Sequence, residues 1–322
     1  MCERLIFKFI FPTPALEGAR LVVRFVRETK TLKTVVYHYS VMKIAVFTIK
    51  GGVGKTALVL LLGLAFATEF KKKVLLVDTD LQADLSYRIL GDSLSIYSIF
   101  SEEHYGIGRF SSIPNLRAKP INIMDNLDLI PMEHDAFINV DQQTIMRKLS
   151  ALPEGYDIIL IDTPPSFDRV SAEELLRNVD AYFSIVAPAK PSIRILNAEL
   201  RLILPMLLDK IRNIPYFIGI IKNNIYSTNS REMSSAISML NDICDTLKSV
   251  PHHTPCVFTN EIARRQAILN YDSFAFLIKT KNTMSISRSL SNTKAISVAQ
   301  EFLYRLQKYM ASKEEEAENL KY

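Results

Sequence analysis

Short continuous apolar runs are spread along this sequence, and longer runs with a helical period lie between them. The short runs are rich in Val, Ile, Leu and Phe, and they occupy Lys43–Ile49, Val74–Asp78, Leu127–Pro131, Ile158–Asp162, Tyr182–Ala187 and Phe217–Ile221. Hydrophobicity that is continuous rather than alternating predicts strands covered on both faces, as in a parallel sheet. Helical patterns occupy Ala57–Phe70, Ser171–Asn178 and Ile193–Lys210. This alternation predicts an α/β fold with a doubly wound, mainly parallel sheet.

The two ends of the chain fall outside this pattern. We assign residues 42–311 to the α/β domain, because Met42 directly precedes the first predicted strand. Residues 1–41 match no part of the pattern, and two interpretations stay open: an upstream, mis-assigned start, or a real β-ribbon or arm. Residues 312–322 carry four glutamates, and we expect a frayed, solvated acidic tail there.

Composition excludes several classes of protein. The 322 residues are 48% hydrophobic and 23% charged, as in a globular protein. The three cysteines form no Cys-x-x-Cys pair, which argues against a disulfide framework, a zinc ribbon or a shared iron–sulfur cluster. No apolar run approaches the ~20 residues of a membrane span, and Glu3 and Lys8 interrupt the pattern of a signal peptide. We therefore expect a cytoplasmic protein with no membrane partner.

Residues 50–56 have the composition of a phosphate-binding loop. The sequence Lys-Gly-Gly-Val-Gly-Lys-Thr lies between a predicted strand and a predicted helix. Its glycines allow backbone N–H groups to surround a phosphate, and the helix N-terminus adds a favourable dipole. Lys55 would reach the β- and γ-phosphates of ATP, and the Thr56 hydroxyl would bind Mg²⁺. An ordinary Walker A loop has glycine where this chain has Ile49, and Lys50 follows, so the loop is a deviant one.

Three aspartates support this site. Asp162 ends a predicted strand, as a Walker B aspartate does, and would hold Mg²⁺ through water. Asp78 and Asp80 end the strand that follows the predicted phosphate-loop helix. Carboxylates at the C-terminal ends of parallel strands face the crevice in which ligands bind.

Five segments together resemble the ParA (Soj-like) DNA-partition ATPases: KGGVGKT, VLLVDTDLQAD, LDLIPM, YDIILIDTPPS and VFTNEIARR. That family belongs to the deviant Walker A class, which also contains MinD and the nitrogenase iron protein. The resemblance covers roughly residues 42–311. It implies a P-loop NTPase fold and a slow Mg²⁺-dependent ATPase whose cofactors are ATP and Mg²⁺.

The resemblance also implies a role for each matching residue. Lys50 would cross a dimer interface to the phosphates of the partner subunit, Asp80 would position the attacking water, and Asp78 would lie near the magnesium. The catalytic set is then Lys50, Lys55 and Asp80, and the metal set is Thr56, Asp78 and Asp162. The nucleotide would contact Lys50, Gly51, Gly52, Val53, Gly54, Lys55, Thr56 and Ala57, with Asn223 or Asn224 at the base. Ala57 replaces the usual second Thr and Leu81 the usual Pro, and neither change removes a phosphate or metal charge.

At the level of function, the resemblance implies ATP-dependent homodimerisation and binding of non-specific duplex DNA. A ParB-like, centromere-binding adaptor would stimulate hydrolysis, and the protein would be nucleoid-associated during plasmid or chromosome partition. DNA phosphates need Lys or Arg, and residues 255–311 hold eight of these against three acids. The candidate DNA contacts are Arg264, Arg265, Lys279, Lys281, Arg288 and Lys294.

Two other functions stay open. A MinD-like membrane-positioning ATPase needs a C-terminal amphipathic helix, for which Ala299–Met310 has apolar residues at helical spacing. That segment is followed by acidic residues, which anionic lipid would repel. A nucleotide-dependent regulatory switch that binds only protein is favoured by the modest net charge of residues 42–322.

Overall fold

The chain forms two sheets in the computed structural model. The described residues are 7–12, 20–28, 31–39, 41–91, 106–112, 117–132, 140–187, 190–200, 205, 209, 211, 213–225, 238–242, 245, 257–263, 278 and 283–319, the first three ranges by backbone alone. The smaller sheet is antiparallel and consists of β1 (Phe7–Pro12), β2 (Arg20–Glu28) and β3 (Thr31–Tyr39). Its strands pair in the order β1-β2-β3.

The larger sheet has eight strands in the order β11-β10-β9-β4-β8-β5-β7-β6. These strands are β4 (Met42–Val46), β5 (Val74–Asp78), β6 (Ile121–Met124), β7 (Leu127–Ile130), β8 (Ile158–Asp162), β9 (Ala181–Val186), β10 (Tyr216–Ile225) and β11 (Val257–Ala263). All described pairs in this sheet are parallel except β6 with β7. The predicted α/β fold with a mainly parallel sheet is confirmed.

Helices alternate with these strands along the chain. They are α1 (Lys55–Thr68), α2 (Asp84–Leu90), α3 (Ile107–Ser112), α4 (Gln142–Lys148), α5 (Arg169–Arg177), α6 (Lys190–Ala198), α7 (Thr283–Asn292) and α8 (Ala295–Asn319). Helix α1 is buried from Leu58 to Ala67, because it packs on the sheet while α7 and α8 pack on it. A helix that is apolar all round needs such cover.

Helix α8 is held on the core by one aromatic side chain. The ring of Phe302 lies 5.6 Å from Phe66 on α1, 5.3 Å from Phe183 on β9 and 6.0 Å from Phe258 on β11, centroid to centroid. Phe302 and Leu306 are both buried. The apolar side of the segment 299–310 therefore faces the protein core. No helix in the described part of the chain is long and apolar enough to cross a membrane.

Several predicted boundaries differ from the structure, and two of these differences have a clear physical reason. The strand predicted to reach Ile49 ends at Val46, because the Ile49 N–H donates to the Glu199 carboxylate (2.9 Å) rather than to a neighbouring strand. The segment expected to fray from residue 312 continues as α8 to Asn319. Glutamate and lysine are good helix formers, and here they extend a helix that is already docked on the core.

Candidate nucleotide-binding site

The phosphate loop follows β4 at the centre of the sheet and leads into α1. Gly52 and Gly54 have φ angles of 73° and 93°, a left-handed region that favours glycine. Gly54 is the N-cap of α1 and contributes no side-chain cap. The N–H groups of the first helical turn therefore point out of the helix end, where they can bind an anion.

Lys55 is the first residue of α1, and its side chain is almost fully buried beside the loop. Its Nζ donates to the carbonyl oxygens of Thr48 (3.4 Å) and Lys50 (3.5 Å). Burial lowers the pKa of Lys55, and the carboxylates of Asp162, Asp80 and Glu199 act in the opposite direction. The cation is thus held against the loop by groups that favour its charged form.

Asp78 and Asp162 lie opposite each other at the ends of the paired strands β5 and β8. Both residues are fully buried. Among the described residues, neither carboxylate oxygen of Asp162 has a hydrogen-bond partner. Burial and the neighbouring Asp78 raise the pKa of Asp162, while the Thr56 hydroxyl and Lys55 favour its charged form.

A buried carboxylate without donors next to a threonine hydroxyl suits a magnesium ion. Mg²⁺ binds one or two carboxylates and keeps waters and phosphate oxygens as its other ligands. The described residues contain no cluster of three or more His, Cys, Asp or Glu that would enclose a metal by themselves. The residues therefore fit an ion that is shared with a nucleotide, with Thr56 and Asp162 as its protein contacts.

Asp78 has a different environment. Its oxygens accept hydrogen bonds from the Asp80 N–H (3.2 Å), the Ser86 N–H (2.9 Å) and the Ser86 hydroxyl (2.6 Å). Burial raises the pKa of Asp78 to about 7. These donors tie the end of β5 to α2, so this carboxylate is placed to approach a metal only through water.

Asp80 forms the turn that follows β5. Its Oδ1 accepts from the Gln82 N–H (3.0 Å), and its carbonyl accepts from the Ala83 N–H (2.8 Å). Burial raises the pKa of Asp80, whereas Lys55 lowers it. The turn aims this carboxylate at the same crevice as Lys55.

Asn223 contacts the phosphate loop directly. Its Nδ2 donates to the carbonyl oxygen of Val53 at 2.6 Å. A Cβ atom at Gly54 would collide with this amide nitrogen, so a side chain is excluded there by space as well as by backbone angle. The structure therefore places Asn223 beside the loop, and the side chain of Asn224 lies outside the described residues.

The structure thus gathers the predicted loop, Asp78, Asp80, Asp162 and Asn223 at the carboxyl edge of the sheet, around the ends of β4, β5, β8 and β10. Residues 41–192 match a family model described as an AAA domain. A virulence plasmid ParA family protein of Chlamydia psittaci, pGP5-D, is 33% identical over 138 residues, which cover 41% of this chain and 52% of the relative. Over this region the chain is similar to AAA-domain and ParA-family proteins.

Other comparisons give similar relatives and a similar fold. The chromosome-partitioning ATPase Soj of Treponema pallidum is 35% identical over 121 residues, covering 36% of this chain and 46% of Soj. The chain thus spans about half the length of the curated relatives it matches. The fold is similar to that of pNOB8 ParA, with a TM-score of 0.61, 17% identity, and coverage of 83% of this chain and 99% of the other. The structure of pNOB8 ParA bound to nonspecific DNA gives a TM-score of 0.59 at 17% identity, with the same coverage of both chains.

Two of the six candidate DNA contacts lie in the described part of the chain. Arg288 is exposed on α7, and Lys294 is exposed between α7 and α8. The Lys294 ammonium lies 3.5 Å from Glu261, whose other oxygen is 3.6 Å from Lys222. Arg264, Arg265, Lys279 and Lys281 lie outside the described residues.

Sequence reasoning missed Glu199, which lies beside this site. It lies just after α6 with its side chain fully buried, and it accepts from the Ile49 N–H beside the phosphate loop. A signal was present, because Ile193, Leu196 and Leu200 mark the buried side of this segment and Glu199 shares that side. A carboxyl group on the buried side of a helix needs a hydrogen-bond partner, and here that partner is the backbone N–H just before the phosphate loop.

Proposed function

We propose that this protein is an ATP-dependent, dimerising, DNA-binding ATPase that acts in plasmid or chromosome partition. Support at the level of the family comes from relatives whose names include ParA and the chromosome-partitioning ATPase Soj. A protein of the same fold binds nonspecific DNA. A ParB-like adaptor that stimulates hydrolysis belongs to the same proposal, as does a cytoplasmic, nucleoid-associated location.

The observation that carries this proposal is a pair of buried charges at an open helix end. Lys55 and the partnerless carboxylate of Asp162 lie beside the N–H groups of the first turn of α1. Together they offer a cation and amide donors to phosphate, and a carboxylate and the Thr56 hydroxyl to Mg²⁺. When bound, Mg²⁺ supplies charge neutralisation between the β- and γ-phosphates.

Each residue then has a defined task in ATP hydrolysis. Loop N–H groups and Lys55 hold the β- and γ-phosphates, and Asp80 accepts a hydrogen bond from the attacking water and so orients it. Lys50 of the partner subunit adds a cation to the γ-phosphate. Charge stabilisation by groups already in place is the main source of catalysis here.

Exposed apolar side chains around the site support dimerisation through this edge of the sheet. Leu81, just after Asp80, is 44% exposed, and Val170, in the first turn of α5, is 48% exposed. Both follow strands that end at the carboxyl edge. Burying them against a second copy would favour a dimer that closes over the nucleotide.

A membrane-positioning role is less well supported by the geometry. The apolar side of α8 that a membrane would require is covered by α1, β9 and β11 through Phe302. Arg288 and Lys294 instead offer exposed charge for DNA phosphates. A switch that binds only protein is retained as an outcome of the test.

The deciding experiment is a gel-shift assay with non-specific duplex DNA. Binding is measured without nucleotide, with ADP and with ATP, each at low and high salt. We expect binding only with ATP and a marked loss at high salt, because released counterions drive the association. A chain that binds ATP but no DNA under any condition contradicts the partition proposal and favours the protein-only switch.

A further inference from the structure

Glu199 joins three elements around the entry to the phosphate loop. Its Oε2 accepts from the Ile49 N–H at 2.9 Å, and its Oε1 lies 3.4 Å from the Ser184 hydroxyl of β9. The residue is fully buried at the end of α6. It therefore connects α6, β9 and the residue immediately before Lys50.

The backbone ladder of β4 does not extend to this position. The last backbone hydrogen bond donated from the β4 side to β9 runs from the Phe47 N–H to the Phe183 carbonyl at 2.8 Å. At the next residue, the Thr48 hydroxyl replaces a backbone partner and accepts from the Ile185 N–H at 3.1 Å. At Ile49, the Glu199 carboxyl group is the hydrogen-bond acceptor for the backbone N–H. Side chains, rather than strand pairing, thus fix how the chain leaves the sheet.

Burial favours the neutral form of Glu199, while its hydrogen-bond donors favour the charged form. The Ser184 hydroxyl has one hydrogen and donates it to the Phe47 carbonyl at 2.8 Å. The same hydroxyl also faces Oε1 of Glu199, as a longer contact of 3.4 Å. Burial raises the pKa of Glu199 to about 8, against the opposing effects of the Ile49 N–H, Ser184 and Lys55. Tyr182 of β9 and Lys55 of α1 are the other titratable groups that face it.

We propose that Glu199 is a positioning residue, whose carboxyl group holds Ile49 so that Lys50 leaves the strand in the direction of the partner subunit. This assignment rests on the proposed ATPase function and adds a residue to it. Glu199 touches neither phosphate nor water in this role, and it acts through the backbone of residues 49 and 50.

The test compares Glu199→Gln and Glu199→Ala, each with and without Lys50→Ala. Glutamine can accept from the Ile49 N–H and donate to Ser184, so Glu199→Gln keeps the turnover and ATP-dependent dimerisation of the wild type at pH 7. Glu199→Ala lowers kcat by about tenfold or more while the Kd for a fluorescent ATP analogue changes little. In the Lys50→Ala background, Glu199→Ala causes no further loss of turnover, because both changes remove the same contribution of Lys50.

Leu306→Ala on α8 is the matched control for simple loss of stability, since it empties a buried position away from the loop. Equal loss of turnover in Leu306→Ala at matched unfolding midpoints overturns the proposal. So do wild-type turnover in Glu199→Ala, a Glu199→Gln variant as impaired as the alanine, or additive losses with Lys50→Ala. A wild-type chain that binds no ATP overturns the proposed function itself, and this result is visible before any variant is made.

Discussion

Two neighbouring aspartates show how the same residue type can serve structure or chemistry. Asp78 accepts three hydrogen bonds from Asp80 and Ser86, whereas neither oxygen of Asp162 has a partner among the described residues. Unsatisfied buried polar groups are costly and rare outside functional sites. The pair therefore divides into a carboxylate that shapes the site and one that is available to a ligand.

Replacing each aspartate by asparagine separates these roles. Asp78→Asn puts an amide where three donors point, and we expect the free energy of unfolding to fall by about 1–3 kcal/mol. Asp162→Asn loses at most the contact with the Thr56 hydroxyl, so its stability stays within about 1 kcal/mol of the wild type while Mg²⁺-dependent ATP turnover is lost. Urea unfolding and a phosphate-release assay measure the two effects. Equal destabilisation by both variants would contradict this division.

Asp80→Ala tests the water-orienting carboxylate. We expect the variant to bind ATP, to dimerise and to stay on DNA, because Lys55 and the loop N–H groups are untouched. Turnover falls by about 10²-fold or more, the usual range for a lost proton acceptor or orienting group. Phosphate release under saturating ATP gives the rate, and turnover equal to that of the wild type would remove Asp80 from the mechanism.

Two glycines of the phosphate loop form a matched pair for substitution. A Cβ at Gly54 requires a strained φ of 93° and collides with the Asn223 amide, whereas a Cβ at Gly51 meets only Pro165 Cβ at 3.5 Å. Gly54→Ala should therefore abolish binding of a fluorescent ATP analogue and cost roughly 1–3 kcal/mol in stability. Gly51→Ala should bind the analogue within about threefold of the wild type. Equal effects in the two variants would argue against the contact with Asn223.

At the scale of elements, one charged pair docks α8 on the edge of the sheet. The Arg305 guanidinium donates to the carbonyl oxygens of Ile218 (3.0 Å) on β10 and Val257 (3.2 Å) on β11. Glu301, one turn earlier, accepts from Arg305 and from the N–H groups of Thr259 and Asn260. The Arg305–Glu301 pair thus supplies hydrogen-bond partners to backbone groups of β10 and β11, and its two opposite charges lie against each other.

Arg305→Lys tests whether docking of α8 requires the planar guanidinium group of Arg305. A lysine ammonium is a compact point charge and cannot span two carbonyl oxygens and a carboxylate in this geometry. We expect the midpoint of urea unfolding to fall, with a loss of about 1–3 kcal/mol. Lys308→Ala, at an exposed position of the same helix, should change stability by less than about 0.5 kcal/mol. If the two variants unfold alike, the docking role of Arg305 is wrong.

Whether the end of a strand could be predicted from the sequence depends on which residues terminate it. Strands β5 and β8 end at aspartates, and their predicted bounds match the structure to the residue. The apolar run of β4 continues into the loop, and only the Ile49–Glu199 bond, between residues 150 positions apart, shows where pairing stops. The loop itself was predictable from local residue types. Asn223 beside Val53 could be placed only once the order of β4, β9 and β10 was known.

At the scale of the whole molecule, buried acids make stability depend on pH. Burial raises the pKa of Glu199 to about 8 from its ordinary value of 4.5. In this interval the folded protein keeps a proton that the unfolded chain releases. The unfolded state therefore binds fewer protons, and the free energy of unfolding falls as the pH rises from about 4.5 to about 8.

Glu199→Gln should flatten this dependence, because an amide does not titrate. For each such group the slope approaches about 1.4 kcal/mol per pH unit. Urea unfolding of the nucleotide-free protein at pH 5.5, 7 and 8.5 measures the slope for the wild type and the variant. Ile195→Ala, at an exposed and non-titrating position of α6, serves as the control and should keep the wild-type slope. Parallel curves for the wild type and Glu199→Gln would contradict the buried neutral acid.

The central place of β4 has a consequence for how the protein is made. The strand that leads into the phosphate loop pairs with β8 and β9, as Met42 with Ile158 and Ile44 with Ala181. A chain growing on the ribosome therefore carries the complete loop long before either neighbour of β4 has been translated. Until β8 emerges, both edges of β4 are open to wrong partners or to chaperones, and one edge stays open until β9 follows. Nucleotide binding can stabilise only chains that already include β9. We therefore expect shorter products to be degraded at any cellular concentration of ATP.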